Sequence, residues 1–195
     1  AVGMSVLAFP IMGILFPQKD TLQLATILLA VGSPGVVFFG LSTLTNGILQ
    51  AIGEVNIPLK NAAIALIWHC IITFVLLIFT PLGLYSLVIG NCFYGLQVCY
   101  LNQKALRHKV HYKQEIRRTY LLPLLASLAM GVIVGLIYYG LFTLTKKVFI
   151  PLILSVVIGI IVYFVIIFYL YADHPEELAA IPYANRIIYK IKKRS

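Results

Sequence analysis

Acidic side chains are few in this chain, with 6 Asp and Glu against 15 Lys and Arg in 195 residues. Charged residues of either sign make up 11% of it, where a soluble globular chain carries about 25%. So thin a coat cannot cover an apolar fraction of 61%, which excludes a water-soluble domain. The formal charge of +9 lies in short stretches beside apolar runs, with no soluble basic domain to hold nucleic acid. Anionic lipid headgroups are the expected counter-charge.

Cysteine is scarce too. Cys70, Cys92 and Cys99 all fall inside apolar runs, an odd number without metal-ligand spacing. They exclude a disulfide framework and give no reason to expect a metal or other cofactor. A glycine-rich nucleotide loop, a zincin His-Glu pair and a serine elbow are all missing. His108, His111 and His174 flank apolar runs without an acidic partner set. The expectation is a protein that is not an enzyme. The opening Ala1-Val2-Gly3-Met4-Ser5 has neither an initiator Met nor a basic flank, so it is no signal peptide. It reads as a cut close to a membrane helix, and the chain as the C-terminal portion of something longer.

What is abundant is apolar sequence in long runs. Six segments, near 1–16, 22–50, 61–79, 84–102, 121–144 and 148–172, read as transmembrane helices of an all-α integral membrane protein. If every segment crosses, one side receives Lys60, Lys104, Arg107, Lys109, Lys113, Arg117, Arg118, Arg186, Lys190, Lys192, Lys193 and Arg194. The other receives only Lys19, Lys146 and Lys147. Basic residues favour the cytoplasmic side, so the bias predicts that both ends of this segment are cytoplasmic.

Local signals refine the spans. Pro10 should kink the first. The second is longer than a bilayer core is thick, and Gly32-Ser33-Pro34-Gly35 near its middle predicts a break or sharp bend. Only Thr80-Pro81-Leu82-Gly83 separates the third and fourth, which makes them antiparallel neighbours. Ser127, Gly131 and Gly135, with Ser155 and Gly159, form stripes through which the last two spans should pack.

Two stretches are basic and amphipathic rather than spanning. Residues 103–120 form a cytoplasmic connection, and 173–195 a cytoplasmic tail with a helix expected from Pro182 onward, unless it is simply a frayed basic end. Lys104, Arg107, Lys109, Lys113, Arg117, Arg118, Arg186, Lys190, Lys193 and Arg194 are the candidates for contact with anionic lipid.

No Asp, Glu, Lys or Arg lies well inside a span. Proton relays and ion-coupled sites ordinarily need one. His69 is the single titratable candidate of that kind, and its expected role is structural hydrogen bonding. Asn46 and Gln50 share a face of the second span, and Asn91 and Asn102 share a face of the fourth. These groups could line a hydrophilic cavity; the expected role is to tie helices together.

Phe38-Phe39-Gly40-Leu41, Thr45-Asn46-Gly47-Ile48-Leu49-Gln50-Ala51-Ile52-Gly53 and Ile57-Pro58-Leu59-Lys60-Asn61 resemble a stretch of polysaccharide-biosynthesis membrane proteins. The branch is the one that includes stage V sporulation protein B. Pro10-Ile11 and Leu15-Phe16-Pro17 resemble the helix before it. Ile160 to Phe164, Glu177-Leu178, Ile181-Pro182 and the Lys-rich finish resemble the family's last helix and tail. The resemblance implies membership of the multidrug/oligosaccharidyl-lipid/polysaccharide exporter superfamily. These six spans would then match helices nine to fourteen of a MATE-like two-lobe transporter.

On that resemblance, residues 1–102 would be four helices of the C-terminal lobe and 121–172 the terminal helix pair. The function implied is flipping of a lipid-linked oligosaccharide or polysaccharide precursor across the bacterial inner membrane by alternating access. Membrane lipids, the lipid-linked saccharide and a missing N-terminal lobe would be the partners. Cationic residues that meet substrate pyrophosphate in such flippases lie mainly in that missing part. The alternatives are a cation-coupled multidrug exporter of the same superfamily and a non-transporting scaffold for glycan synthesis.

Overall fold

A computed structural model describes residues 1–16, 19–110 and 117–171. The described residues are helical, without a strand. In order they form α1 (Val2–Val6), α2 (Ala8–Leu15), α3 (Lys19–Ala51), α4 (Asn56–Phe79), α5 (Leu84–Val110), α6 (Leu122–Thr145) and α7 (Phe149–Leu170). A π-helical turn, Arg117–Leu121, leads into α6.

Among the described residues, 5 helices are long and apolar enough to cross a membrane, α3 to α7. Their apolar side chains face outward: Phe74 is 63% exposed, Phe79 77% and Leu136 71%. Such surfaces belong against lipid rather than water. The chain is an all-α, multi-pass membrane protein.

The first expected span is two short helices of 5 and 8 residues, interrupted at Leu7. The break directly follows Val6, whose carbonyl would take its i+4 donor from Pro10, which has no N–H to offer it. Two further boundaries shift outward at polar ends. α4 begins at Asn56 rather than Asn61, and α5 continues to Val110. Residues 103–110, expected in the cytoplasmic connection, are therefore a further two turns of α5. Lys113, Arg186, Lys190, Lys193 and Arg194 lie outside the described residues, as does the expected tail helix.

The largest correction concerns α3. It runs unbroken from Lys19 to Ala51 with Pro34 inside. Proline there deprives the Ala30 carbonyl of its i+4 donor. Ser5 Oγ of α1 lies 3.2 Å and Ser33 Oγ 3.0 Å from that oxygen, and the two hydroxyls are within hydrogen-bonding distance of each other, so that one donates to the carbonyl and the other to its neighbour. The Cys92 thiol of α5 approaches the next two carbonyls, Val31 at 3.8 Å and Gly32 at 3.6 Å. Neighbouring helices saturate the weak point, so the helix continues.

The chain divides into two compact units, Ala1–Gln114 and Glu115–Ser195. In the first, α5 packs on both α3 and α4, while α3 and α4 hardly touch each other. Glycine permits the close approach. A Cβ at Gly32 would stand 3.1 Å from Val88, one at Gly35 3.1 Å from Cys92 Sγ, and one at Gly95 3.2 Å from Phe38 Cβ. The paired numbers rise together, so α3 and α5 run parallel. Gly90 meets His69 and Thr73, and Asn102 bonds Asn61, so α4 is antiparallel to α5. That is the order successive crossings require.

In the second unit α6 packs on α7. Ser155 and Gly159 of α7 are buried there, as the stripe predicts. On α6 the buried line is Ala126, Gly131, Val134 and Tyr138, so only Gly131 of its expected stripe is fully covered. A Cβ at Gly159 would lie 2.6 Å from Val134 Cγ2. The pair is joined by a tight turn in which Lys146 takes a left-handed conformation, φ 51°.

Candidate functional site

The link between α3 and α4 is short, so these two helices start close together. Gly53, at φ 85°, turns the chain there. Asn102, eight residues before the end of α5 at Val110, is wholly buried. Its Nδ2 donates to Asn46 Oδ1 at 2.6 Å and to Thr45 Oγ1 at 3.3 Å, and its Oδ1 accepts from Asn61 Nδ2 at 2.9 Å. One carboxamide thus ties α3, α4 and α5 together. Three such bonds at about 0.6 kcal/mol each amount to roughly 2 kcal/mol. Outside this clasp, Lys109 Nζ pairs with Glu54 Oε1 at 2.5 Å. Both side chains are part-exposed, so the ion pair is worth under about 1 kcal/mol.

Beyond the clasp, α3 and α4 part over α5 and leave an open hollow of about 850 Å³. Gly32, Gly35, Val36, Phe39, Gly40 and Thr43 form its α3 wall, and α4 contributes His69. Leu87, Val88, Asn91 and Cys92 of α5 form the floor. No Asp, Glu, Lys or Arg lines it.

The five residues expected to meet a substrate separate into different roles. Asn102 and Asn46 are partners in the clasp. Gln50, one turn beyond Asn46, is exposed and outside it. Asn91 and Asn102 share a face by angle, but eleven residues of rise put them at different depths, about 16 Å apart along the axis. Asn91 lines the hollow and Asn102 does not. His69 also lines the hollow, edge-on to Tyr94 with centroids 5.9 Å apart. Its Nδ1 is buried without a hydrogen-bond partner, as are Thr73 Oγ1, Ser86 Oγ and Gln97 Oε1. Gly90 is fixed by this crowding, because a Cβ there would collide with Thr73 Oγ1 and reach within 3.4 Å of His69 Nδ1.

Among the candidates for lipid contact, Lys104, Arg107 and Lys109 are exposed at the clasp end of α5, beside the exposed Lys60 at the start of α4. Arg117 and Arg118 belong to the π-helical turn. Asn61 was missed as a functional residue, because it stands at what the hydropathy pattern marks as the edge of a span. The glycine wall of the hollow was missed because Gly32-Ser33-Pro34-Gly35 carries the signature of a helix break. Among the described residues, no cluster of His, Cys, Asp and Glu is suited to a metal ion. Set beside protein-family models, characterised proteins and solved structures, the chain matches none of them.

Proposed function

We propose that this chain is part of a transporter that flips a lipid-linked oligosaccharide or polysaccharide precursor across the bacterial inner membrane. The observation that carries the reading is the uncharged hollow between α3 and α4, floored by α5 and tied at one end by the Asn102 clasp. Helices that share a floor and touch each other little can change their separation without unpacking a core. A transporter working by alternating access needs movable walls of this kind.

In this reading α1 and α2 complete a sixth span and both ends face the cytoplasm, in the arrangement of the last six helices of a MATE-like two-lobe transporter. An N-terminal lobe supplies the other wall and the cationic groups for a substrate pyrophosphate. Lys60, Lys104, Arg107 and Lys109 rest against anionic headgroups at the cytoplasmic face. The lack of charge along the hollow favours this substrate over a cation-coupled exchange, which would place a carboxylate in the path.

The test is leaflet distribution. Cells depleted of the protein should accumulate undecaprenyl-linked saccharide on the inner leaflet; a normal distribution would overturn the proposal.

A further inference from the structure

We infer that the hollow is a binding site for an uncharged amphiphile, one that presents a hydroxyl or similar neutral hydrogen-bonding group to Asn91 and lays hydrocarbon along α3. The argument starts from the hydrogen-bond state of the asparagines. Asn46, Asn61 and Asn102 satisfy one another. Asn91 is exposed on the floor of the hollow, and its carboxamide has no partner among the described residues. An amide left unpaired in hydrocarbon costs about 4–8 kcal/mol. Where α5 spans a bilayer, a carboxamide facing outward takes its partner from outside the described residues.

The rest of the lining sets the chemistry of that partner. Thr43 Oγ1 is already committed to the Phe39 carbonyl at 2.8 Å, and the Cys92 thiol is turned to the backbone of Val31 and Gly32. Neither has a proton left to donate to the ligand, and the Nδ1 of His69 is buried. No lysine or arginine faces the hollow, so a phosphate or carboxylate would be desolvated without a counter-charge. Val36, Phe39 and Leu87 give apolar walls, and Gly40 leaves open space where any other side chain would stand. The volume falls within the range of about 300–1,000 Å³ of sites that take small molecules through apolar walls and a few polar anchors. A neutral polar group joined to hydrocarbon satisfies all of these conditions. Water alone satisfies the first of them only.

Two sources share this chemistry, the neutral sugar end of a glycolipid and a long-chain lipid alcohol. The full chain in lipid nanodiscs is titrated with an alkyl maltoside, a polyprenyl alcohol and the matching alkane, each below its aggregation threshold, and bound ligand is counted by native mass spectrometry. Saturable binding of the maltoside or the alcohol, at least about tenfold tighter than the alkane, is expected. Whichever of the two binds identifies the source.

Gly40→Leu should fill the hollow and lower affinity about tenfold or more. Gly47→Leu is the control, since a Cβ there also meets nothing, but Gly47 lies outside the hollow. Asn91→Leu should abolish the preference over the alkane while leaving alkane binding in place. Equal binding by Gly40→Leu, Gly47→Leu and the unsubstituted chain overturns the inference. So does an alkane bound as tightly as the other two, or no saturable binding at all. The inference deepens the transport reading and is tested apart from it: a ligand that binds in nanodiscs while leaflet distribution in depleted cells stays normal removes transport and keeps the site.

Discussion

Ser5 and Ser33 hydrogen-bond to each other, one hydroxyl donating to the other and the second to the carbonyl of Ala30 that Pro34 leaves without its helical donor. The short α1 is thereby a repair to α3. Removing both hydroxyls orphans a part-buried carbonyl, which costs about 1–3 kcal/mol at most. The double variant Ser5→Ala/Ser33→Ala should lower the unfolding free energy by that amount in mild detergent. Pro34→Ala restores the backbone N–H, and in that background the same pair of changes should cost much less. A cost that is the same with and without Pro34 would refute the link.

Asn102 is the hub of the clasp and Asn91 is not part of it. Asn102→Leu should destabilise the chain by about 2–3 kcal/mol, from lost bonds and from the unpaired amides of Asn46 and Asn61. Asn91→Leu breaks no hydrogen bond within the described residues and should not destabilise the chain. Thermal unfolding of the two variants in the same detergent compares them directly. Equal costs would mean that the shared helical face, rather than the clasp, decides their roles.

Gly159 and Gly140 should respond to alanine with opposite signs. Gly140 has open space for a Cβ, so Gly140→Ala should stabilise α6 by about 0.5–1 kcal/mol. At Gly159 the new carbon would press on Val134 Cγ2 at 2.6 Å. Overpacking of this kind costs about 1–3 kcal/mol, more than the helical gain. Val134→Ala should rescue Gly159→Ala. Unfolding of the single and double variants measures the coupling, and a rescue smaller than about 0.5 kcal/mol would show that α6 and α7 do not meet there.

Lys146 holds a left-handed backbone, φ 51° and ψ 17°, at the end of α6. A β-carbon is strained in this region and glycine is free of that strain. Lys146→Gly should raise stability by about 0.5–1 kcal/mol, and Lys146→Ala should not. The comparison is made by thermal unfolding; a gain from alanine as large as that from glycine would put the effect in the lysine charge instead.

Much of α4 to α7 is legible along the chain. Phe79, Leu84, Thr145 and Phe149 fall within a residue or two of where hydropathy and the turn residues put helix ends. The errors lie where polar residues continue a helix beyond the apolar run. Asn56 to Lys60 and Gln103 to Val110 look like connections, yet they extend α4 and α5, because backbone bonding propagates past the hydrocarbon edge once a helix is nucleated. Gly32-Ser33-Pro34-Gly35 is misread for a different reason. Its cost is real, but it is offset by Ser5 and Cys92, which are far away in the chain.

The sequence by itself determined the class, the long helices and the segregation of charge from the membrane interior. Transfer into hydrocarbon is a property of each residue and its near neighbours, so it can be summed along one dimension. Only the tertiary structure decided which asparagines satisfy one another and which is left facing a hollow. A hydrogen bond depends on what stands across from the donor. For Asn91 and Asn102, on one face of one helix, the difference is the distance between α3 and α4 at two depths.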